Sequence, residues 1–407
     1  MSTLRPGRVV IVGGGLAGIT AAGELRALGH TGTITVLDPG EVPYDRPPLS
    51  KAFLQGTTDL DGMRLVPEEW FADNDVRWLG GRSAVALRAT EAGVELDDGS
   101  LVSADAVLLA TGGLARPLPV PGGDLTGVFG LRNVEDARAL AEVLVPGARI
   151  TVVGGGLIGA EVASTACALG CEVTLVEPAT PPLAGALGPE IAGHLHAQHT
   201  AAGIEVIADT VAAITSDGPA LTVTTGGGRV VAADAVVAGV GLAVDTRLAA
   251  TAGLATAGGI VVDDAQRTSR PGVFAAGDLA VSGAAGGHRR EHWQAARHAG
   301  RTAAAGMLGL PLPPAEPDWF WTDRHGVHVE AVGALDSPNR IIRTAPDGAP
   351  QAVFSLDADG RMLGAAAIDG NRLIVVARRL VGTEAQPDPE VLADPSADLR
   401  PLLKARR

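Results

Sequence analysis

Two stretches of the chain repeat one pattern of apolar and polar positions. RVVIV (8–12) is an apolar run that stops at GGG, LAGITAAGELRALG follows with apolar residues at helical spacing, and ITVLD (34–38) is a second apolar run ending on an acid. This pattern predicts a buried strand, a glycine turn, an amphipathic helix and a second strand. RITVV (149–153), GGG, LIGAEVASTACALG and EVTLVE (172–177) repeat it, with Gly154 lying 141 residues after Gly13. Between and after these units, ADAVLLATGG (104–113), ADAVVAGVG (233–241) and GVFAAGDLA (272–280) read as further strands. The turn-rich LARPLPVPGG reads as a crossing, so the chain is expected to leave its first domain near residue 115 and return near residue 239. LPLPPAEPDW (310–319) reads as a linker, and the alternation in GVHVEAVGAL beyond it predicts a small β-rich domain.

The glycines give the repeat a chemistry. Gly13, Gly15 and Gly18 match G-x-G-x-x-G, as do Gly154, Gly156 and Gly159. The first glycine permits the tight turn, the second lets backbone approach a pyrophosphate, and the third lets the helix pack on the strand. The helix start then offers unpaired N–H groups to the anion. Asp38 and Glu177 close the two second strands, where a carboxylate can accept from a ribose hydroxyl. One such turn is weak evidence, because glycine turns also serve plain packing. Two complete units predict two dinucleotides. Glu177 would repel a 2′-phosphate and PATPP (178–182) supplies no arginine beside it, so NADH is expected over NADPH.

Length and composition narrow the possibilities. At 407 residues, two or three domains are expected, and 46% apolar with 19% charged residues is the composition of a folded chain. A formal net charge of −14 argues against a nucleic-acid surface. Local basic patches are still candidates at Arg289–Arg290, Arg378–Arg379 and the terminal Lys404, Arg406 and Arg407. No apolar run approaches the roughly 20 residues of a membrane helix, and MSTLRPGR opens the chain without a leader pattern, so a cytoplasmic location is expected. Cys167 and Cys171 are the only cysteines, too few for a disulfide framework, an iron–sulfur cluster or a structural zinc on their own. Any redox centre must then be an organic cofactor, and the two thiols are expected to be small buried residues. His194, His196 and His199 recur at helical spacing near Glu190, and are expected to be solvated helix histidines, with no metal site.

YDRPPLSK (44–51) holds one of the two lysines among 32 Lys and Arg. With GGGLAG, LLATGG, GGGLIGAE, FAAGDLA, EHWQAARHAG and DWFWTD, it makes nearly the whole chain resemble the pyridine nucleotide–disulfide oxidoreductase superfamily, and within it the ferredoxin reductases of the putidaredoxin reductase and biphenyl-dioxygenase reductase type. The resemblance implies an α/β fold of two Rossmann-like dinucleotide-binding domains plus a small C-terminal α+β domain. Its boundaries would be 1–115 with 239–310 for FAD, 116–238 for NAD, and 311–407 for a flavin-covering or dimerisation-type domain.

FAD is then expected on Gly13, Gly15, Leu16, Ala17, Gly18, Asp38, Arg46, Lys51, Ala110, Thr111, Gly112, Gly277, Asp278, Glu291, His292, Trp293 and Trp321. NADH is expected on Gly154, Gly156, Leu157, Ile158, Gly159, Glu177 and Gly241. Lys51, paired with Glu161, would stand near the flavin's reactive edge as the catalytic element, because a compact ammonium fits where an arginine fork would collide. The wider superfamily's disulfide chemistry needs a cysteine pair near the flavin, and residues 39–60 contain none. Relatives commonly read WFWSDQY where this chain has WFWTDRHG, so Arg324 and His325 are expected to alter the entrance.

The implied activity is electron transfer from NADH through FAD to a [2Fe-2S] ferredoxin that serves a Rieske dioxygenase or cytochrome P450, by a monomer or weak homodimer. Two alternatives remain open. One keeps the cofactors but changes the acceptor to a rubredoxin, a nitrite reductase, a quinone or radical, or oxygen. The other is an NADH-sensing flavoprotein without fast turnover.

Overall fold

The computed structural model describes residues 5–88, 93–283, 287 and 289–403. Lys404, Arg406 and Arg407 therefore lie outside the described residues. The chain forms two compact units: residues 1–46, 58–114 and 242–316 make the first, and residues 47–57, 115–241 and 317–407 the second.

In the first unit, the five-stranded sheet runs Val273–Ala275, Ala106–Leu109, Arg8–Val12, Thr33–Asp38, Val76–Gly80, with every neighbouring pair parallel. The inner strands Ala106–Leu109, Arg8–Val12 and Thr33–Asp38 are buried on both faces, which is why they read as largely continuous apolar runs instead of alternating ones. Helix Leu16–Ala27 packs on one face through Ile19, Ala22 and Leu25. Helix Trp293–Leu308 lies against it so closely that a Cβ on Gly300 would stand 2.4 Å from the Ala17 carbonyl oxygen.

The second unit contains a matching parallel sheet, ordered Glu205–Ile207, Glu172–Val176, Arg149–Val153, Ala235–Ala238, Val128–Phe129. It also holds an antiparallel sheet ordered Trp319–Arg324, Val327–Gly333, Met362–Ile368, Pro350–Leu356, Arg340–Thr344, covered by helix Asn371–Leu380 through Ile374, Ala377 and Leu380. Leu187, Ile191 and Leu195, four residues apart along the chain, pack against Val329, Ala331 and Val353 of that sheet. This apolar stripe ties helix Pro189–Ala201 to the C-terminal segment.

His325 and Gly326 form the two-residue hairpin between Trp319–Arg324 and Val327–Gly333, with φ of 53° and 74°. Both central residues of such a turn need positive φ. Tertiary bonds hold His325 there: its N–H donates to Ser164 Oγ at 2.7 Å, and its Nε2 lies 2.8 Å from His199 Nδ1.

Three expectations need correction. His199 is fully buried because it faces His325, so it is not a solvated helix residue, whereas His194 and His196 are partly exposed. Cys167 is only half-buried; its thiol donates to the Ala202 carbonyl at 3.3 Å, and the buried Cys171 donates to the Val145 carbonyl at 3.4 Å. Arg324, expected at an entrance, is 3% exposed, because alternation along its strand turns it inward. Burial pushes its pKa down to about 10, against an opposing pull from Glu161.

Candidate functional site

The first unit gathers the first glycine turn with residues from far along the chain. Gly13 has φ of 110°, and a Cβ there would stand 2.4 Å from the Ala110 carbonyl oxygen, so the turn abuts Ala110 and Thr111, with Gly112 next along the chain. A Cβ on Gly18 would stand 2.0 Å from the Gly13 carbonyl oxygen. Arg46 reaches over the turn, its Nη1 3.0 Å from the Cβ position of Gly15. Gly277 lies against Ala17, 3.1 Å by the same measure, and so brings Asp278 beside the start of the helix. Trp293 Nε1 donates to both oxygens of Asp45, at 3.1 and 3.2 Å. His292 caps the helix that starts at Trp293, accepting from the Ala295 N–H, and Glu291 binds Arg289.

The second glycine turn repeats this geometry within the second unit. Gly154 has φ of 98° and abuts the Gly239 carbonyl oxygen, and Gly159 abuts the Gly154 carbonyl oxygen at 2.0 Å from its Cβ position. Gly241, φ 100°, accepts from the Arg116 N–H at 2.9 Å. The two acids act alike. Asp38 accepts from the N–H groups of Gly14 at 2.7 Å and Gly40 at 2.8 Å, and Glu177 from those of Gly155 at 2.6 Å and Ala179 at 2.7 Å.

Both turns fit the phosphates of a dinucleotide. Helices Leu16–Ala27 and Leu157–Ala168 begin at Gly15 and Gly156 with no side-chain cap, whereas Asn133 and Asp136 form a capping box on helix Val134–Val143. Uncapped first-turn amides are a ready anion site. A Cβ on Gly156 would meet nothing within 4 Å, and the first-turn Ile158 is 42% exposed, so that face is open. Each acid spends two of its roughly four acceptor positions on the backbone and keeps the others.

Lys51 and Trp321 belong to the second unit, where Lys51 joins a carboxylate cluster. Glu161 is 3% exposed and accepts from Ser50 Oγ at 2.5 Å, Thr322 Oγ1 at 2.8 Å, Lys51 Nζ at 3.2 Å and the Asp323 N–H at 3.3 Å. Three of these donors converge on Oε1, and Ser50 alone reaches Oε2. Thr165 Oγ1 donates to the Ser50 carbonyl at 2.8 Å, which secures the segment carrying Lys51. Lys51 Nζ also lies 3.2 Å from Asp323 Oδ2, so a single ammonium bridges two carboxylates. A compact ammonium makes this bridge as a point charge, in less space than a planar guanidinium fork occupies. Trp321 stacks near Trp319, centroids 5.1 Å apart, with Arg378 4.7 Å above the Trp319 ring.

Four contributors were given no role by the sequence. Ser50, Thr322 and Asp323 acquire meaning only where their strand and loop meet Glu161. Trp78 lies over Gly14, 2.4 Å from its Cβ position, and walls the first turn. No local spacing marks any of them.

Residues 7–300 match the pyridine nucleotide-disulphide oxidoreductase family, and residues 319–403 match the reductase C-terminal family. The chain belongs to the pyridine nucleotide-disulphide oxidoreductase family. It is therefore an oxidoreductase using FAD and NAD(H). It is 36% identical over 403 residues, 98% of each chain, to the ferredoxin reductase component of a chlorobenzene dioxygenase from Cupriavidus sp. (strain PS12). It is 35% identical over 401 residues, again 98% of each, to the ferredoxin–NAD(+) reductase subunit of a benzene 1,2-dioxygenase system from Pseudomonas putida. Among solved structures, putidaredoxin reductase in covalent complex with putidaredoxin superposes with a TM-score of 0.87 at 31% identity, covering 98% of each chain.

Proposed function

We propose that this chain is an NADH-dependent ferredoxin reductase that supplies electrons through FAD to a [2Fe-2S] ferredoxin serving an oxygenase. The observation that carries the reading is the duplicated glycine turn, each with an uncapped helix start and an acid folded back on its backbone. FAD, when bound, converts the hydride of NADH into the single electrons that an iron–sulfur centre accepts. The chain's own groups bind and orient. Gly13, Gly15 and Gly18, the first-turn amides of Leu16 and Ala17, Asp38, Arg46, Asp278 and the segment 110–112 hold FAD. Gly154, Gly156, Gly159, Gly241 and Glu177 hold NADH. Lys51 supplies positive charge where negative charge builds during hydride transfer, and Glu161 fixes its position.

The same reading divides the chain into an FAD-binding domain of residues 1–115 and 239–310, an NAD-binding domain of 116–238 and a C-terminal domain of 311–407. It extends to a monomer or weak homodimer in the cytoplasm, with ferredoxin docking on an arginine-rich patch that includes Arg289–Arg290 or Arg378–Arg379. The dioxygenase-system names of the two relatives and the ferredoxin partner of the superposed reductase support the choice of acceptor.

An anaerobic titration of the yellow protein, first with NADH and then with NADPH, tests the reading. Bleaching by NADH alone, followed by ferredoxin-dependent reduction of cytochrome c, is the expected result. A protein that takes up no FAD, or is bleached but passes no electrons to any [2Fe-2S] ferredoxin, would overturn it.

A further inference from the structure

A line of charged groups leads away from Lys51 along the hairpin of Trp319–Arg324 and Val327–Gly333. Asp323 lies directly across the ladder from His328, and Trp321 directly across from Glu330, so these side chains share one face. Asp323 Oδ2 is 3.2 Å from Lys51 Nζ, and Asp323 Oδ1 is 2.5 Å from His328 Nδ1. On its other side, His328 Nε2 is 3.4 Å from Glu330 Oε1, and Glu330 Oε2 accepts from Trp319 Nε1 at 2.7 Å.

An imidazole with a carboxylate at each nitrogen is satisfied only when both nitrogens carry hydrogen. Burial lowers the pKa of His328, but hydrogen bonds and charge from Asp323 and then Glu330 outweigh it, and the net direction is upward. The charges also balance in that state. Glu161, Asp323 and Glu330 face Lys51, Arg324 and His328, while Asp369, which accepts from the His328 N–H, and Arg378, over Trp319, add one of each sign. Loss of the His328 proton leaves the cluster one negative charge in excess and leaves Asp323 with Lys51 as its nearest cation.

We propose that His328 is a positioning residue for the Lys51–Glu161 pair, acting through Asp323: by clamping Asp323 from the far side, it sets how Lys51 divides its charge between Asp323 and Glu161. The inference rests on the reading of Lys51 and Glu161 as the catalytic pair. Below the ordinary histidine range the clamp is complete, and it is released as pH rises through the raised value. An excess negative charge disfavours adding electrons nearby, so releasing the clamp lowers the reduction potential of FAD in the holoenzyme.

The test measures that potential against pH in wild-type holoenzyme and in His328→Gln, His328→Lys and Lys51→Met, with the His328 imidazole titrated by NMR in the oxidised protein. The wild type is expected to show an inflection at the pH where the imidazole titrates. His328→Gln should have a lower potential without the inflection, and His328→Lys, a permanent cation, should recover the potential without the inflection. Profiles of both His328 variants that superimpose on wild type, while Lys51→Met shifts the potential, would overturn the role of His328 and leave that of Lys51 standing. Equal losses in both His328 variants would reduce His328 to a packing role. An unchanged potential in Lys51→Met would remove the catalytic reading and this inference with it.

Discussion

Ser50 and Glu161, 111 residues apart in sequence, are joined by a 2.5 Å hydrogen bond that brings Lys51 within 3.2 Å of the same buried carboxylate. A serine and a lysine adjacent in the chain thus satisfy opposite oxygens of one glutamate, and two residues of the C-terminal hairpin complete the shell.

Lys51→Met is expected to slow flavin reduction by NADH by at least about tenfold, because it removes a fixed charge aimed at developing negative charge. Stopped-flow absorbance at saturating NADH measures it. An unchanged rate would leave Lys51 a structural residue.

Glu161→Ala should destabilise the holoenzyme by about 3 kcal/mol, since the Ser50 and Thr322 hydroxyls lose their acceptor and Lys51 keeps only Asp323. Urea midpoints of Glu161→Ala and Glu161→Gln report this, the amide being the milder change.

Alanine at the two buried glycines separates the two dinucleotide sites. Gly18→Ala drives a methyl to 2.0 Å from the Gly13 carbonyl oxygen and should yield colourless protein. Gly159→Ala makes the same collision at the second turn and should leave a yellow protein that dithionite reduces and NADH does not. Gly156→Ala meets no protein atom within 4 Å, so it should weaken NADH binding with no change in melting temperature.

Coenzyme choice should follow Glu177. Glu177→Ala removes both the ribose acceptor and the charge opposed to a 2′-phosphate, so the ratio of kcat/KM for NADH over NADPH is expected to fall at least about tenfold. Steady-state rates with the two coenzymes check it.

Acid should destabilise the protein through His199. Burial first, then the charge of Arg324, lowers its pKa from 6.5 to about 3. The unfolded chain therefore binds a proton that the folded chain refuses between those values, and stability is lost as pH falls through that window, at up to about 1.4 kcal/mol per pH unit from this group. The slope of unfolding free energy between pH 6 and pH 4, at about 25 °C, should be shallower in His199→Leu.

Much of the fold is legible in local pattern. The strands Arg8–Val12 and Arg149–Val153 announce themselves as apolar runs, their glycine turns follow from backbone sterics, and Asp38 and Glu177 stand where a second strand ends. Periodicity is a property of neighbours in the chain, so it is written there.

The surroundings of Lys51 are a different matter. The segment 47–57 packs with residues 115–241, and helix Pro189–Ala201 packs on the C-terminal sheet; nothing in either stretch names its partner. His199 carries the same helical spacing as His194 and His196, yet it alone of the three is fully buried, because His325 closes over it. By itself the sequence determined the two strand–turn–helix units, their acids and the kind of cofactor they suit, since each depends on residues a few positions apart. Only the tertiary structure decided that Glu161 is shared by Ser50, Lys51, Thr322 and Asp323, because hydrogen bonds and ion pairs depend on distance in space, and residues more than a hundred positions apart carry no record of it in their spacing.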